Sequence, residues 1–337
     1  MERDHYFDNV KGALITLVVI GHFLLPMERT RLVGSLINII YLFHMPMFAL
    51  ISGYFAKSVY RQGKYRSDKV LRLVWLYILF EAAVHVTENL AAGQPVTGYI
   101  DFFWEDGAPW YLLAMVWWYL SIPFLTGLKP GAVIAICLCI GILGGYQDSL
   151  GDTLAMSRTL TFAPFFYAGY YWKQEQVKRF TGSRYRLLFT AGAAVLAVIT
   201  ALGTGRFLDP CGNIIYGMNY RRLAPQVYAW GGLVRLVCYT WASVMILGLM
   251  AVIPGSRRRW TFLGQRTLQI YILHRLLRDM MQYWGFYGVI TSVYRRNVVF
   301  VTALAALSAL ILGSSCITKI FVQIQKVPDM LYQRWKA

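Results

Sequence analysis

The sequence predicts an all-α, polytopic membrane protein, and three observations predict it. Of its 337 residues 57% are apolar and only 15% charged, against about 25% charged in a soluble domain. The apolar residues collect into ten runs bounded by charge or by Gly and Pro. Summed over alternate connections between the runs, basic residues are plentiful in one set and sparse in the other, the pattern that alternating cytoplasmic loops produce. A surplus of 33 Lys and Arg over 16 Asp and Glu, net +17, would suit a nucleic-acid-binding arm in a polar chain. Here the apolar content excludes that class and puts the charge at the edges of a bundle whose partner is the lipid bilayer.

The runs fall at about 10–26, 33–56, 70–86, 110–126, 131–147, 159–173, 186–203, 232–253, 262–282 and 298–323. Each approaches the roughly 20 apolar residues that one crossing needs. A backbone in lipid must bond internally, so each run is read as a helix. The first follows MERDHYFDNVKG and has no small-residue cleavage site before Met27, which makes it a retained span rather than a signal peptide. The second contains Pro46, whose missing donor and ring clash predict a kink with a free carbonyl near residue 42. KSVYRQGKYRSDK, residues 57–69, is the densest basic connection and leads into Arg72 at the start of the third run.

The connection from the third run to the fourth carries Glu88, Asp101, Glu105 and Asp106 and no Lys or Arg. In the fifth run Cys137 and Cys139 lie two apart and point to different helix faces, and the odd total of five cysteines argues against a disulfide framework. No metal site is expected. The segment 204–231, between the seventh and eighth runs, is rich in Tyr, Asn, Gly and Arg. Such a loop suits a polar or sugar-like ligand, although an interfacial aromatic belt accounts for its Tyr and Trp equally well.

Placing the N-terminus inside gives 21 Lys and Arg to the inner segments and nine to the outer ones, among them Arg158, Arg221 and Arg235. This asymmetry predicts ten crossings with both termini cytoplasmic, and one membrane domain over residues 1–337. There is no internal repeat of the kind that marks inverted-repeat transporters.

Ionisable groups inside apolar runs are costly and point to function. His22, His44, His85 and His274 lie in or at the ends of runs. At about 100° per residue, Asp8, Lys11 and His22 fall within about 60° of one helix face, and Lys11 and His22 are separated by about 16 Å of rise. One helix therefore joins a charged inner mouth to a deep histidine, although Asp8 and Lys11 also read as a simple helix-start ion pair. Lys69 and Arg72 are one turn apart and can clamp a polyphosphate, while positive-inside sorting explains the same cations. Glu81 stands four residues before His85, the spacing of a helical pair. His274, Arg275, Arg278 and Asp279 form either a polar network or only the end of a helix.

Asp8-x-x-Lys11-Gly12 followed by His22 resembles the opening signature of the membrane acyltransferase-3 superfamily, the fucose 4-O-acetylase-like proteins. FHMPMFALISGY (Phe43 to Tyr54) resembles that family's second motif, and the basic pair opening the third run its third. PWYLL (Pro109 to Leu113), APFFYAGYYWK (Ala163 to Lys173) and LGQRTLQIYILH (Leu263 to His274) match further along, so the resemblance covers nearly the whole chain in family order. It implies a ten-helix enzyme of the inner (plasma) membrane that takes an acyl group, usually acetyl, from cytosolic acyl-CoA. The group is placed on a hydroxyl of a carbohydrate at or beyond the outer face.

On that resemblance His22 is the general base that deprotonates the acceptor, and His44 positions the thioester or shares proton transfer. Lys11, Lys69 and Arg72 bind CoA phosphates, and Asp8 orients Lys11. Trp110, Tyr54, His274 and Glu81 are further substrate contacts. The family usually carries Arg where Lys11 and Lys69 stand, so this chain offers point charges in place of bidentate forks. A homo-oligomer is compatible with this reading. The alternative is a small-solute transporter or exporter, like related membrane domains linked to serine uptake, with buried His and Glu relaying protons.

Overall fold

The structure is a computed structural model and describes residues 5–105, 107–205, 209–222, 226–293 and 298–336. Arg3, Asp106, Arg206, Arg295 and Arg296 of the charge pattern lie outside the described residues. All ten apolar runs are helical. In chain order the helices are α1 (His5–Leu24), α2 (Arg31–Tyr41), α3 (His44–Phe55), α4 (Ser67–Ala92), α5 (Trp110–Leu125), α6 (Pro130–Leu143), α7 (Met156–Tyr171), α8 (Gln174–Thr181) and α9 (Tyr185–Gly203). They continue with α10 (Asp209–Ile215), α11 (Gly231–Val252), α12 (Thr261–Gln265), α13 (Thr267–Tyr283), α14 (Phe286–Val293), α15 (Val298–Leu312) and α16 (Ser315–Lys336).

Among the described residues five helical segments are long and apolar enough to cross a membrane: His5–Leu24, Arg31–Ser58, Ser67–Ala92, Tyr185–Gly203 and Tyr228–Val252. A sixth is the pair Val298–Leu312 and Ser315–Pro328, bent by 60°. On α9 Leu187, Leu188, Val195, Val198 and Leu202 are all more than half exposed, an apolar surface that suits lipid rather than water. The protein is an all-α membrane protein.

One departure from pure helix is short. Tyr60–Arg61 (β1) and Lys64–Tyr65 (β2) pair antiparallel within the basic connection. Their two-residue turn places Gln62 at φ 52° and Gly63 at φ 74°, the left-handed pair that a tight hairpin turn requires.

The chain divides into two compact units, each assembled from separated stretches of sequence. The first comprises Met1–Val33, Leu71–Phe102 and Pro254–Ala337. Its inner helix is α1, packed on α12, α13 and α15, with Val10, Leu14, Ile15, Val19, Phe23 and Leu24 fully buried. Asp8, Asn9 and His22 of the same helix are buried as well. The bend between α15 and α16 falls at Gly313, whose carbonyl is taken by the Arg266 guanidinium; a carbonyl bonded from the side explains the kink.

The second unit comprises Gly34–Val70 and Phe103–Ile253. In it α3 lies against α7, α7 against α5 and α6, and α9 and α10 against α11. Arg235, read from the sequence as an outer-loop cation, is instead fully buried within α11. It donates to the carbonyls of Gly141 at 2.6 Å and Met218 at 2.8 Å and lies over the Tyr220 ring. Carbonyl partners and an aromatic face replace the water that a buried guanidinium loses.

Candidate active site

In the first unit the N-terminal end of α1 is tied down by polar side chains. Asn9 donates to the carbonyls of Pro254 and Ser256, both at 2.8 Å, and accepts from the Thr261 hydroxyl at 2.6 Å. Gly12 lets the helix approach the backbone of Trp260 and Gly264, and a Cβ on Gly264 would stand 1.7 Å from the Asp8 carbonyl oxygen. Asp8, buried, pairs with Lys11 at 3.0 Å and accepts from the Gln265 amide at 3.2 Å. The helix-start ion pair is therefore present, and it sits beside a pocket of about 310 Å³ lined by Arg257, Arg258, Arg259 and Gln265. In the sequence the three arginines are simply three of the 21 inner cations; nothing local shows that they line a pocket with Gln265, the partner of Asp8.

At the other end of α1, His22 is buried and meets His274 of α13, with His22 Nδ1 and His274 Nε2 2.7 Å apart. The rings are inclined by 14° and meet edge to edge, as an in-line hydrogen bond requires. His274 Nδ1 lies 2.8 Å from the Ile270 carbonyl, which can only accept, so that nitrogen carries the proton. His274 Nε2 is then the acceptor, His22 Nδ1 the donor, and the lone pair of a neutral His22 resides on Nε2. Thus His274, expected as a substrate contact, is the partner that sets the tautomer of His22.

One turn further along α13, Asp279 accepts from both Arg275 and Arg278, and Arg275 also approaches Glu88 at 3.6 Å. These residues form a polar network rather than a mere helix end. On α4, Glu81 is half-buried. His85 does not pair with it, since its Nε2 lies 2.9 Å from the Asn89 amide nitrogen, one turn the other way.

In the second unit the kink expected from Pro46 becomes a two-residue interruption three to four residues earlier, at Leu42 and Phe43, within the segment Arg31–Ser58. Pro46 then stands in the first turn of α3, where its missing N–H has no helical partner to lose. His44 opens that turn, 1% exposed, and its Nδ1–H takes the Ile40 carbonyl at 2.9 Å. Its ring packs edge-on to Tyr41 at 4.7 Å, and Tyr41 approaches Tyr216 at 6.0 Å. Trp110 is buried, stacked on Phe162 at 5.3 Å and set against Tyr216 at 6.0 Å.

Arg158 was another outer-loop cation of the sequence pattern. It is buried on α7, over the rings of Trp110 and Tyr216 and paired with Asp152 at 2.8 Å. Tyr54 lies at the other end of α3, beneath the Lys57 ammonium at 4.2 Å. Lys69 and Arg72 occupy the first two turns of α4, and Lys69 donates to Ser58 Oγ at 2.6 Å, which fastens the hairpin connection to the helix.

The sequence model of the acyltransferase-3 family, described as an acyltransferase domain, matches residues 4–319. Among characterised proteins the chain is similar to nodulation protein NolL of Sinorhizobium fredii, 29% identical over 228 residues, covering 63% of this chain and 61% of that protein. It is also similar to nodulation protein NolL of Mesorhizobium japonicum, 24% identical over 351 aligned residues, covering 98% of this chain and 92% of that protein. No solved structure matches.

Proposed function

The chain belongs to the acyltransferase-3 family, and on that premise we propose that it is an integral membrane O-acyltransferase. It moves an acyl group, acetyl in the first instance, from cytosolic acyl-CoA to a hydroxyl of an extracytoplasmic or membrane-linked carbohydrate. Ten crossings with both termini cytoplasmic, in the plasma (inner) membrane, complete the reading. The 21-to-nine division of cations supports that topology.

The observation that carries the chemistry is the His22–His274 pair. With its Nδ1 proton committed to His274, His22 presents Nε2 as general base to the acceptor hydroxyl. The acceptor oxygen attacks the thioester carbonyl as its proton passes to His22. The tetrahedral intermediate collapses, the C–S bond breaks, and the imidazolium returns the proton to the departing thiolate. His274, an acceptor through Nε2, stabilises the charge that His22 carries in between.

The pocket lined by Arg257, Arg258 and Arg259, with the Asp8–Lys11 pair beside it, fits a polyanion, and Arg72 of the same unit adds a cation on α4. These residues bind the phosphates of the donor, with Asp8 and Gln265 holding Lys11 and the pocket in place. His44, its Nδ1–H committed to Ile40, serves the transfer through Nε2, and Tyr54 and Glu81 are further substrate contacts.

The test is thiol release from acetyl-CoA by purified protein with a carbohydrate acceptor. His22→Ala should abolish transfer in a protein that still folds; transfer at the parent rate would dismiss His22 as base. Passage of a small solute into proteoliposomes without thiol release from any acceptor mixture would establish the transporter reading instead.

A further inference from the structure

The second unit contains a pocket of about 620 Å³, well inside the span of roughly 300–1,000 Å³ usual for small-molecule sites. It is a built structure. One wall is an antiparallel bridge between Trp104 and Thr153, closed by the Glu105 N–H to the Asp152 carbonyl at 3.0 Å and the Leu154 N–H to the Phe103 carbonyl at 2.6 Å. The facing wall is 216–221, held to α7 where Ser157 donates to the Gly217 carbonyl. At Gly217, φ 91°, a Cβ would stand 3.0 Å from the Arg158 backbone, so only glycine allows that approach.

The chemistry of the lining selects a ligand class. Arg158 pairs with Asp152 at 2.8 Å, and Arg221 with Asp148 at 2.7 Å, while Asn219 also donates to Asp148. Among the described residues each carboxylate of the lining is matched by a guanidinium, so these leave no net charge to attract an anion or a cation. What remains is a set of planar groups with paired donors and acceptors, beside the half-exposed Trp104 indole and the Tyr216 ring. A polyhydroxylated ring has the complementary make-up, with hydroxyls in its plane and an apolar C–H face for an aromatic. An acyl chain would need an apolar wall, and an acidic sugar an unmatched cation.

We propose that this pocket binds the acceptor, and that the acceptor is a neutral saccharide whose ring lies on Trp104 and whose hydroxyls bond to Arg158–Asp152 and Asp148–Arg221. The proposal deepens the O-acyltransferase reading and rests on it. It also gives His44 a place in the reaction, because Tyr216 of the pocket wall reaches His44 through Tyr41, within the same unit. His44 is then a positioning residue on the acceptor's side.

The test uses the full chain in detergent and reads saccharide binding directly, by saturation-transfer NMR with methyl glucoside, methyl galactoside and glucuronate, alongside turnover with acetyl-CoA. Neutral glycosides should bind and glucuronate should not. Trp104→Ala and Asp152→Asn, in preparations that melt at the parent temperature, should each weaken glycoside binding and raise the acceptor KM by about tenfold, the loss of one good contact. Trp104→Phe should restore most of the loss. Glycoside binding and acceptor KM unchanged in both variants, or glucuronate bound as tightly as the neutral sugars, would overturn the proposal. Glycoside binding that depends on Trp104 without thiol release from acetyl-CoA would leave the pocket standing as a sugar site and sink the acyltransferase reading, so the two failures are distinct.

Discussion

At His22 the functional question is which ring nitrogen carries the proton, and a residue 252 positions away decides it. His274→Gln keeps a carbonyl oxygen able to accept from His22 Nδ1, whereas His274→Ala releases the ring to either tautomer. Acetyl transfer is expected to drop by about 10- to 100-fold in the alanine variant, the range that follows loss of a group orienting a functional histidine, with partial recovery in the glutamine variant. Equal rates for the two would remove the tautomer argument. The basic mouth makes a separate prediction. Replacing Arg257, Arg258 and Arg259 together by Gln should raise the KM for acetyl-CoA, weaken its dependence on salt and leave kcat nearly unchanged. An unaltered KM at low and high salt would assign the three to topology alone. Asp8, Lys11 and His22 were legible as one stripe because helical periodicity is local. Arg158 and Arg235 were not, because a cation held by carbonyls and rings looks in sequence like any loop arginine.

The motif glycines explain how the elements fit. Gly53 on α3 and Gly169 on α7 face each other's helices, with added Cβ atoms 1.8 Å from the carbonyl oxygens of Phe166 and Leu50 respectively. Gly264 and Gly12 do the same for α12 and α1. Bare backbone lets helices approach closely where lipid supplies no hydrophobic driving force between them. Gly53→Ala and Gly264→Ala should therefore each cost about 3 kcal/mol or more, since a backbone carbonyl cannot step aside, and lower the melting temperature measured in detergent. Gly131→Ala, with nothing within 4 Å of its added Cβ, is the control and should leave melting unmoved. A Gly53→Ala protein as stable as the parent would contradict the packing. The sequence marked these glycines as parts of motifs but not as pairs, because pairing joins α3 to α7 and α1 to α12 across long stretches of chain. Pro46 predicts a kink, and the interruption falls earlier, at Leu42 and Phe43, where the His44 ring and the Phe43 N–H both meet the Ile40 carbonyl.

For the whole molecule, reporter fusions should place both termini in the cytoplasm and the Arg221 segment outside; a cytoplasmic Arg221 segment would reject the ten-crossing topology. That topology rests on composition, because Lys and Arg counts and apolar run lengths are properties of short stretches and need no tertiary contact. For the same reason the sequence by itself determined the all-α membrane class, the placement of all ten helical runs, the family motifs and the depth of His22 along its helix. Only the tertiary structure decided that His22 meets His274, that three loop arginines line a pocket whose Gln265 bonds Asp8, and that Trp104, Asp152, Arg158 and Tyr216 gather at one cavity. Those are contacts between residues distant in the chain, selected by close packing and by the requirement that buried polar groups find partners, and no local pattern of residues carries that information.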